Sequence, residues 1–460
     1  MVATRPSESR TVMLTEQADT IAFEAGRPAG YADIAQNRRG LLSFAITSLV
    51  FMYVFCAIGL QGIPGVARSA LVCAACLWCS LLEGIRRRQI ILERWTWLPV
   101  IFFMYCTLTA LRAQDMTLEL IGKLVTVWGG SLGVGVALRN GVKWTVPIYA
   151  MVCAALASVV AHWLGINSIV MWSQGDDLSI SYQRASGLMG NPNTLAMACG
   201  FPAYFVFLLK DRFNLSVRIL CLGLAVYGVI LTGSRKGVLL VLCLFVCIGF
   251  HQALTRGRTP YVVFCVLAMA ILLLLFSGAI LDVLLIGTDD ILALKRTMMV
   301  FHGEGGSYLK RMEMIRISEK LFWQRPLLGH GLGMFSRVSG LGSYAHNNYC
   351  ELAVGGGILA VFLLYMIHFT VFRYSVYMPS AERVCVWILL ANIFFQDAAV
   401  VSYLDRLIVL LLIMSLVLVY RPPRVMQVRL TSPMSDDDDP SCGSRRCSIR
   451  SAVRPIGGEQ

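Results

Sequence analysis

Twelve apolar stretches dominate this chain, near residues 42–60, 68–84, 97–112, 118–138, 144–164, 194–209, 217–232, 237–253, 260–278, 349–372, 384–401 and 404–420. Runs of this kind, almost free of charge, have the length a helix needs to cross a lipid bilayer. In lipid the backbone has no water to pair with, so each run has to close its hydrogen bonds within a helix. The chain therefore reads as an all-α polytopic membrane protein with about twelve transmembrane helices. Composition agrees: of 460 residues, 57% are hydrophobic and only 15% charged, more apolar surface than a water-soluble core would hold.

The formal net charge of +13 would suggest a nucleic-acid partner in a soluble protein. Here the excess lies mostly in short connections between apolar runs, where Lys and Arg set orientation, so no nucleic-acid partner is expected. With the N-terminus inside, inner loops and flanks hold seventeen Lys and Arg residues, among them Arg86, Arg87, Arg88, Arg139 and Lys143, against six in the short outer loops. That asymmetry predicts both termini in the cytoplasm and an even number of spans. Residues 1–40 and 421–460 are expected to be disordered cytoplasmic tails flanking a membrane domain over 41–420. No apolar core follows a basic start in the first 30 residues, so no cleavable signal peptide is expected.

Ten of the 15 cysteines fall well inside apolar runs, where they read as small hydrophobes. Cys73, Cys76 and Cys79 have the spacing of a metal cluster, but their place within a span favours packing over ligation. No disulfide framework or metal site is expected.

Two outer connections are long, 165–193 and 279–348. The second, about seventy residues, exceeds a passive linker. Within it, 307–324 reads as an amphipathic helix capped by Ser307 and ended before Pro326. Glu313, Arg316 and Lys320 fall on a solvated face; Tyr308, Arg311, Ile315 and Phe322 share another. A cation on a packing face needs an anionic partner or a wet cleft.

Topology filters the candidates for chemistry. Of six histidines, only His346, in AHNNYCEL, stands at the outer mouth of a span, where Asn348 can cap the helix and Glu351 can reach back as in a capping box. In GNPN, Asn193 can cap the sixth span, with Arg184 just upstream. In TGSRKG, Ser234 can cap the eighth, with Arg235 and Lys236 in its first turn. A cation at a helix N-terminus is unfavourable by roughly 0.3–1 kcal/mol, and outer cations also oppose the orientation rule. Both costs point to a compensating anion, and helix N-termini with arginines form a phosphate cradle. No GKS/T phosphate loop is present, so the substrate would have to carry its own energy, as a membrane-bound diphosphate ester does. Arg184, Arg235, Lys236 and Arg311 would hold the diphosphate, and neutral His346 would take a proton from an attacking hydroxyl.

RASGLMGNPNTLA, TGSRKG, KRMEMIRISEKLFWQRPLLGHGLGMF and AHNNYCELAVGGGILA, taken in order over about residues 180–375, resemble the O-antigen ligase and polymerase superfamily. The resemblance implies a fold similar to GT-C type glycosyltransferases. It also implies an inverting, metal-independent glycosyltransferase of the bacterial inner membrane that uses no cofactor. The donor would be a glycan on undecaprenyl diphosphate, and the acceptor lipid A–core in a ligase or a growing polysaccharide in a polymerase. Membrane lipids and a chain-length regulator are the further partners implied. Matched by motif, His346 would be the base, with Arg235 and Arg311 catalytic. Arg184, Lys236, Asn347 and Asn348 would bind diphosphate or glycan. His330, in GHGLG, reads as an ordinary loop histidine. Two rivals are a lipid or polysaccharide flippase and a peptidoglycan polymerase of the shape-determining type. Transporters place polar groups at the bilayer midplane, whereas Lys123 and Asp397 both lie near the outer ends of their spans.

Overall fold

The computed structural model describes residues 29–63, 66–112, 117–166, 185–256, 306–398 and 401–420. Among these there are helices and no strands. Helix α1 (Ala29–Val54) runs into a π-helical turn, Phe55–Gly59, and is followed by α2 (Val66–Arg86) and α3 (Trp97–Ala110). A second π turn, Val125–Gly129, joins α4 (Thr117–Leu124) to α5 (Gly130–Arg139). Then come α6 (Thr145–Trp163), α7 (Pro192–Leu208), α8 (Leu215–Thr232) and α9 (Arg235–Arg256). After residues 257–305, α10 (Gly306–Gln324) leads to α11 (Asn348–Ser375), α12 (Ser380–Asp397) and α13 (Arg406–Val419).

Among the described residues seven helices are long and apolar enough to cross a membrane, and α7 and α13 are shorter apolar helices. This is the architecture of a multi-pass membrane protein. Helices α3 and α12 also occupy expected spans; the span expected at 260–278 lies outside the described residues. Helix α1 starts at Ala29, upstream of the boundary expected at residue 40. Cys76, Cys79 and Cys153 are exposed on the outside of the bundle, not packed within it. All described cysteines are free.

Helix α13 is apolar all round and buried from Leu407 to Val419, as a helix at the centre of a bundle must be. Asp405 starts it, its carboxylate accepting from Leu407 N at 2.9 Å and Ile408 N at 3.0 Å. Helix α7 is likewise buried along its length and begins with Pro192 behind the Asn191 cap. Gly135 of α5 lets Trp95 and Ile413 of α13 close over it; a Cβ there would lie 2.7 Å from both. Small residues at such crossings let membrane helices approach.

Helix α11 is broken at Gly357, whose φ of 66° and ψ of −170° are open to glycine alone. The break exposes backbone polar groups at membrane depth, where they need protein partners. The segment after α10 supplies them: His330 N donates to Val354 O and Gly331 N to Gly355 O at 2.8 Å, and Ile358 N donates to Pro326 O at 2.8 Å. Tyr105 of α3 adds a bond to Gly356 O at 2.6 Å. A Cβ on Gly329 would collide with Gly355, so the glycines of GHGLG and VGGG form one backbone-to-backbone clasp. It ties α10 to α11.

Candidate active site

Helix α10 stops at Gln324, ahead of Pro326 as expected, and Glu313, Arg316 and Lys320 are exposed. The packing stripe differs from the expected one. Met314, Ile317 and Leu321 pack with Phe335, Ala345 and Val354 in a small apolar cluster, and Ser318 is buried with them, whereas Ile315 is 39% exposed. The helix is rotated because its partners are Ala345 and α11, which the helix's own periodicity does not specify. Arg311 is one turn before Met314 on this stripe and is partly buried, which carries its guanidinium to the loop ahead of α11.

That loop holds Tyr344, Ala345 and His346. The N-cap of α11 is Asn347, not Asn348: its Oδ1 accepts from Cys350 N at 3.1 Å. Asn348 is fully buried and works as a brace, accepting from Tyr403 N at 3.2 Å and donating to the Tyr365 hydroxyl at 3.3 Å. Tyr365 in turn donates to Asp397 Oδ2 at 2.6 Å. Glu351 does not close a capping box at the cap residue. It reaches further, and its Oε2 accepts from Ala345 N at 2.8 Å. Ala345 is thus fixed by a buried carboxylate on one side and by the apolar cluster on the other.

Held behind that anchor, His346 has φ 51°, the left-handed region that non-glycine residues enter at a cost. Its ring lies on Tyr344, centroids 4.0 Å apart. Burial, then the Arg311 charge, then the Lys236 charge push the imidazole down to about 4, so it is neutral at ordinary pH. Arg311 also acts on Tyr344, whose hydroxyl burial pushes up. The structure therefore gathers Arg311, Lys236 and His346 from α10, α9 and the mouth of α11.

Ser234 caps α9 as expected, accepting from Gly237 N at 3.3 Å. Its hydroxyl donates to Asn193 Oδ1 at 2.8 Å. Asn193 is therefore a tie between α7 and α9, and the cap of α7 is Asn191, whose Oδ1 accepts from Asn193 N at 2.8 Å. Gln396 Nε2 donates to Lys236 O at 3.4 Å, bringing the end of α12 beside the start of α9. The Lys236 charge also reaches Asp405. Arg235 opens α9, and its side chain lies outside what the structure describes, as does Arg184. His330 is a structural residue, its Nε2 2.9 Å from Leu321 O, and His302 is outside the described residues.

Sequence spacing missed one member of this assembly and two of its contacts. Tyr344 could be suspected only from its place two residues before His346. The reach of Glu351 to Ala345, and of Lys236 to Asp405, depends on turns of the chain that no local pattern encodes.

No curated protein matches the chain. A family profile described as O-antigen ligase matches residues 220–365, a segment that carries Arg235, Lys236, Arg311, His346, the clasp and Glu351, and the match supports the likeness of this segment to the O-antigen ligase superfamily.

Proposed function

We propose that the protein is an inverting glycosyltransferase, independent of metal, that moves a glycan from undecaprenyl diphosphate to an acceptor hydroxyl at the periplasmic face of the bacterial inner membrane. The acceptor in this reading is lipid A–core, which makes the protein an O-antigen ligase. The observation that carries it is a neutral histidine held in a left-handed turn within reach of two cations from separate helices.

In the reaction His346 takes the proton of the acceptor hydroxyl. The hydroxyl oxygen attacks the anomeric carbon from the face opposite the diphosphate. The bond from that carbon to the diphosphate oxygen breaks, its electron pair leaves with the diphosphate, and the configuration inverts. Arg311, Lys236 and Arg235 offset the leaving charge, with Arg184 on the diphosphate or the glycan. A positioned base is worth typically ~10²–10⁴-fold, and fixed cations at the leaving group add to it.

An imidazole near 4 is a weak base while the two cations beside it are not offset. Arrival of a diphosphate offsets both cations, so the ring regains basicity when donor is in place. Of the two asparagines, Asn347 is the one partly exposed beside His346 and is the glycan-binding candidate. Asn348 supports it from within.

Purified protein should transfer glycan from a lipid diphosphate donor with chelator present and no nucleotide. His346→Ala should abolish transfer with the melting temperature kept; full activity would remove the base assignment. In a deletion strain, loss of all polymer from the core supports a ligase, whereas a single repeat left on the core makes the protein a polymerase using the same chemistry. Translocation of lipid-linked glycan by this protein alone in vesicles would favour a flippase instead.

A further inference from the structure

Among the described residues two non-glycine positions have left-handed backbone, His346 and Arg88. Arg88 follows the end of α2, where Gln89 N donates to Gly84 O at 2.9 Å and closes the helix. Glycine or asparagine ordinarily takes that position; an arginine there carries a conformational cost that glycine would avoid.

Its side chain lines a cavity of about 370 Å³ between α1, α2 and α5. Ile46, Leu81 and Val142 give the cavity an apolar floor, and Ser43, Arg88 and Asn140 give it a polar rim. Several neighbouring charges are already matched. Glu83 holds Arg86 at 2.7 Å and Arg87 at 2.6 Å, and Glu93 holds Arg139 at 2.6 Å. Arg88 has no ion pair among the described residues. Leu41, Phe44 and Leu82, next to cavity residues in the chain, are exposed apolar side chains.

The cavity is at the end of the bundle away from His346. Helix α13 starts at Asp405, within reach of Lys236, and ends at Tyr420, within reach of Arg94 and Glu93, so a helix of about 21 Å separates the two regions. The Lys and Arg asymmetry assigns this end to the cytoplasmic leaflet.

We propose that the cavity binds the headgroup of an anionic phospholipid, with its phosphate on Arg88, its first chain carbons on the apolar floor and its acyl chains along the exposed apolar residues of α1 and α2. Basic pockets between transmembrane helices on this side of a membrane are suited to such headgroups. The volume admits a headgroup and the start of the chains, and the chains then stay in the bilayer.

The test is native mass spectrometry of the full-length protein with phosphatidylglycerol or phosphatidylcholine of identical chains. Wild type should retain phosphatidylglycerol preferentially. Arg88→Gly keeps the left-handed turn, so the fold stands while the preference falls about fivefold. Arg87→Gln removes the same charge from a paired neighbour and should leave the preference intact. Ser43→Trp, which fills the cavity, should match the Arg88→Gly loss and carries the test if that variant does not fold. Equal retention of both lipids by wild type, or equal losses in Arg88→Gly and Arg87→Gln, would overturn the proposal. So would displacement of the lipid by glycerol 1-phosphate at comparable concentration, which would mark a site for a soluble phosphate ester.

Discussion

Removing the Glu351 carboxylate should slow the reaction without touching any group that reacts. Ala345 N donates to Glu351 Oε2 at 2.8 Å, with Ala345 2% and Glu351 3% exposed, so water cannot replace the bond. A buried N–H left without a partner costs about 1–3 kcal/mol. The bond holds the residue before His346, whose left-handed φ of 51° costs about 1–2 kcal/mol relative to extended backbone. In the intact protein the anchor outweighs that strain. In Glu351→Ala the balance reverses by about 1–2 kcal/mol, leaving roughly a tenth of the molecules with His346 in place. The kcat for glycan transfer should then fall roughly tenfold. The KM for donor should change less, because Arg311 and Lys236 are carried by other helices. Glu351→Gln keeps a carbonyl acceptor for Ala345 N and should stay within about threefold of wild type. Steady-state transfer from lipid diphosphate donor, with thermal denaturation of each variant in parallel, separates the cases. If Glu351→Ala keeps kcat within about twofold, or Glu351→Gln falls as far as Glu351→Ala, the anchoring argument is wrong.

With His346 down to about 4, the acid limb of kcat/KM should lie well below the ordinary histidine value: activity is present above the limb and lost as pH falls through it. A limb near 6.5 would contradict the two-cation site. Lys236→Gln removes the smallest of the three causes that lower this ring, at most a third of the depression, so the limb should rise by less than about one pH unit. The plateau should also drop as leaving-group stabilisation is lost. Gly357→Ala places a Cβ on Leu327 O at a φ of 66°. Thermal denaturation should show a loss of at least about 1–3 kcal/mol, whereas Ala at Gly122, with nothing within 4 Å, should be tolerated.

Much of this protein was legible before its structure. The apolar runs dictate helices because lipid offers the backbone no alternative partner. Arg235 and Lys236 were marked as cations at a helix start, where the dipole disfavours them, and Arg311 as a cation on the packing face of its helix. His346 stood out by its place at the mouth of a span. Caps were read less well, by one or two residues at Asn191 and Asn347, since adjacent asparagines offer the same chemistry and only the turn geometry selects between them.

Local pattern thus specified which segments become apolar helices and which charges stand at their ends, because hydropathy and helix-end chemistry act over a few residues. Which of them meet was decided only by tertiary structure. Arg311 faces His346 because α10 packs on Ala345 and Val354 and is clasped to a broken turn of α11. Lys236 joins them because the Ser234–Asn193 tie and the end of α12 set the start of α9. These are contacts between segments far apart in the chain, and neither periodicity nor spacing within one segment contains them.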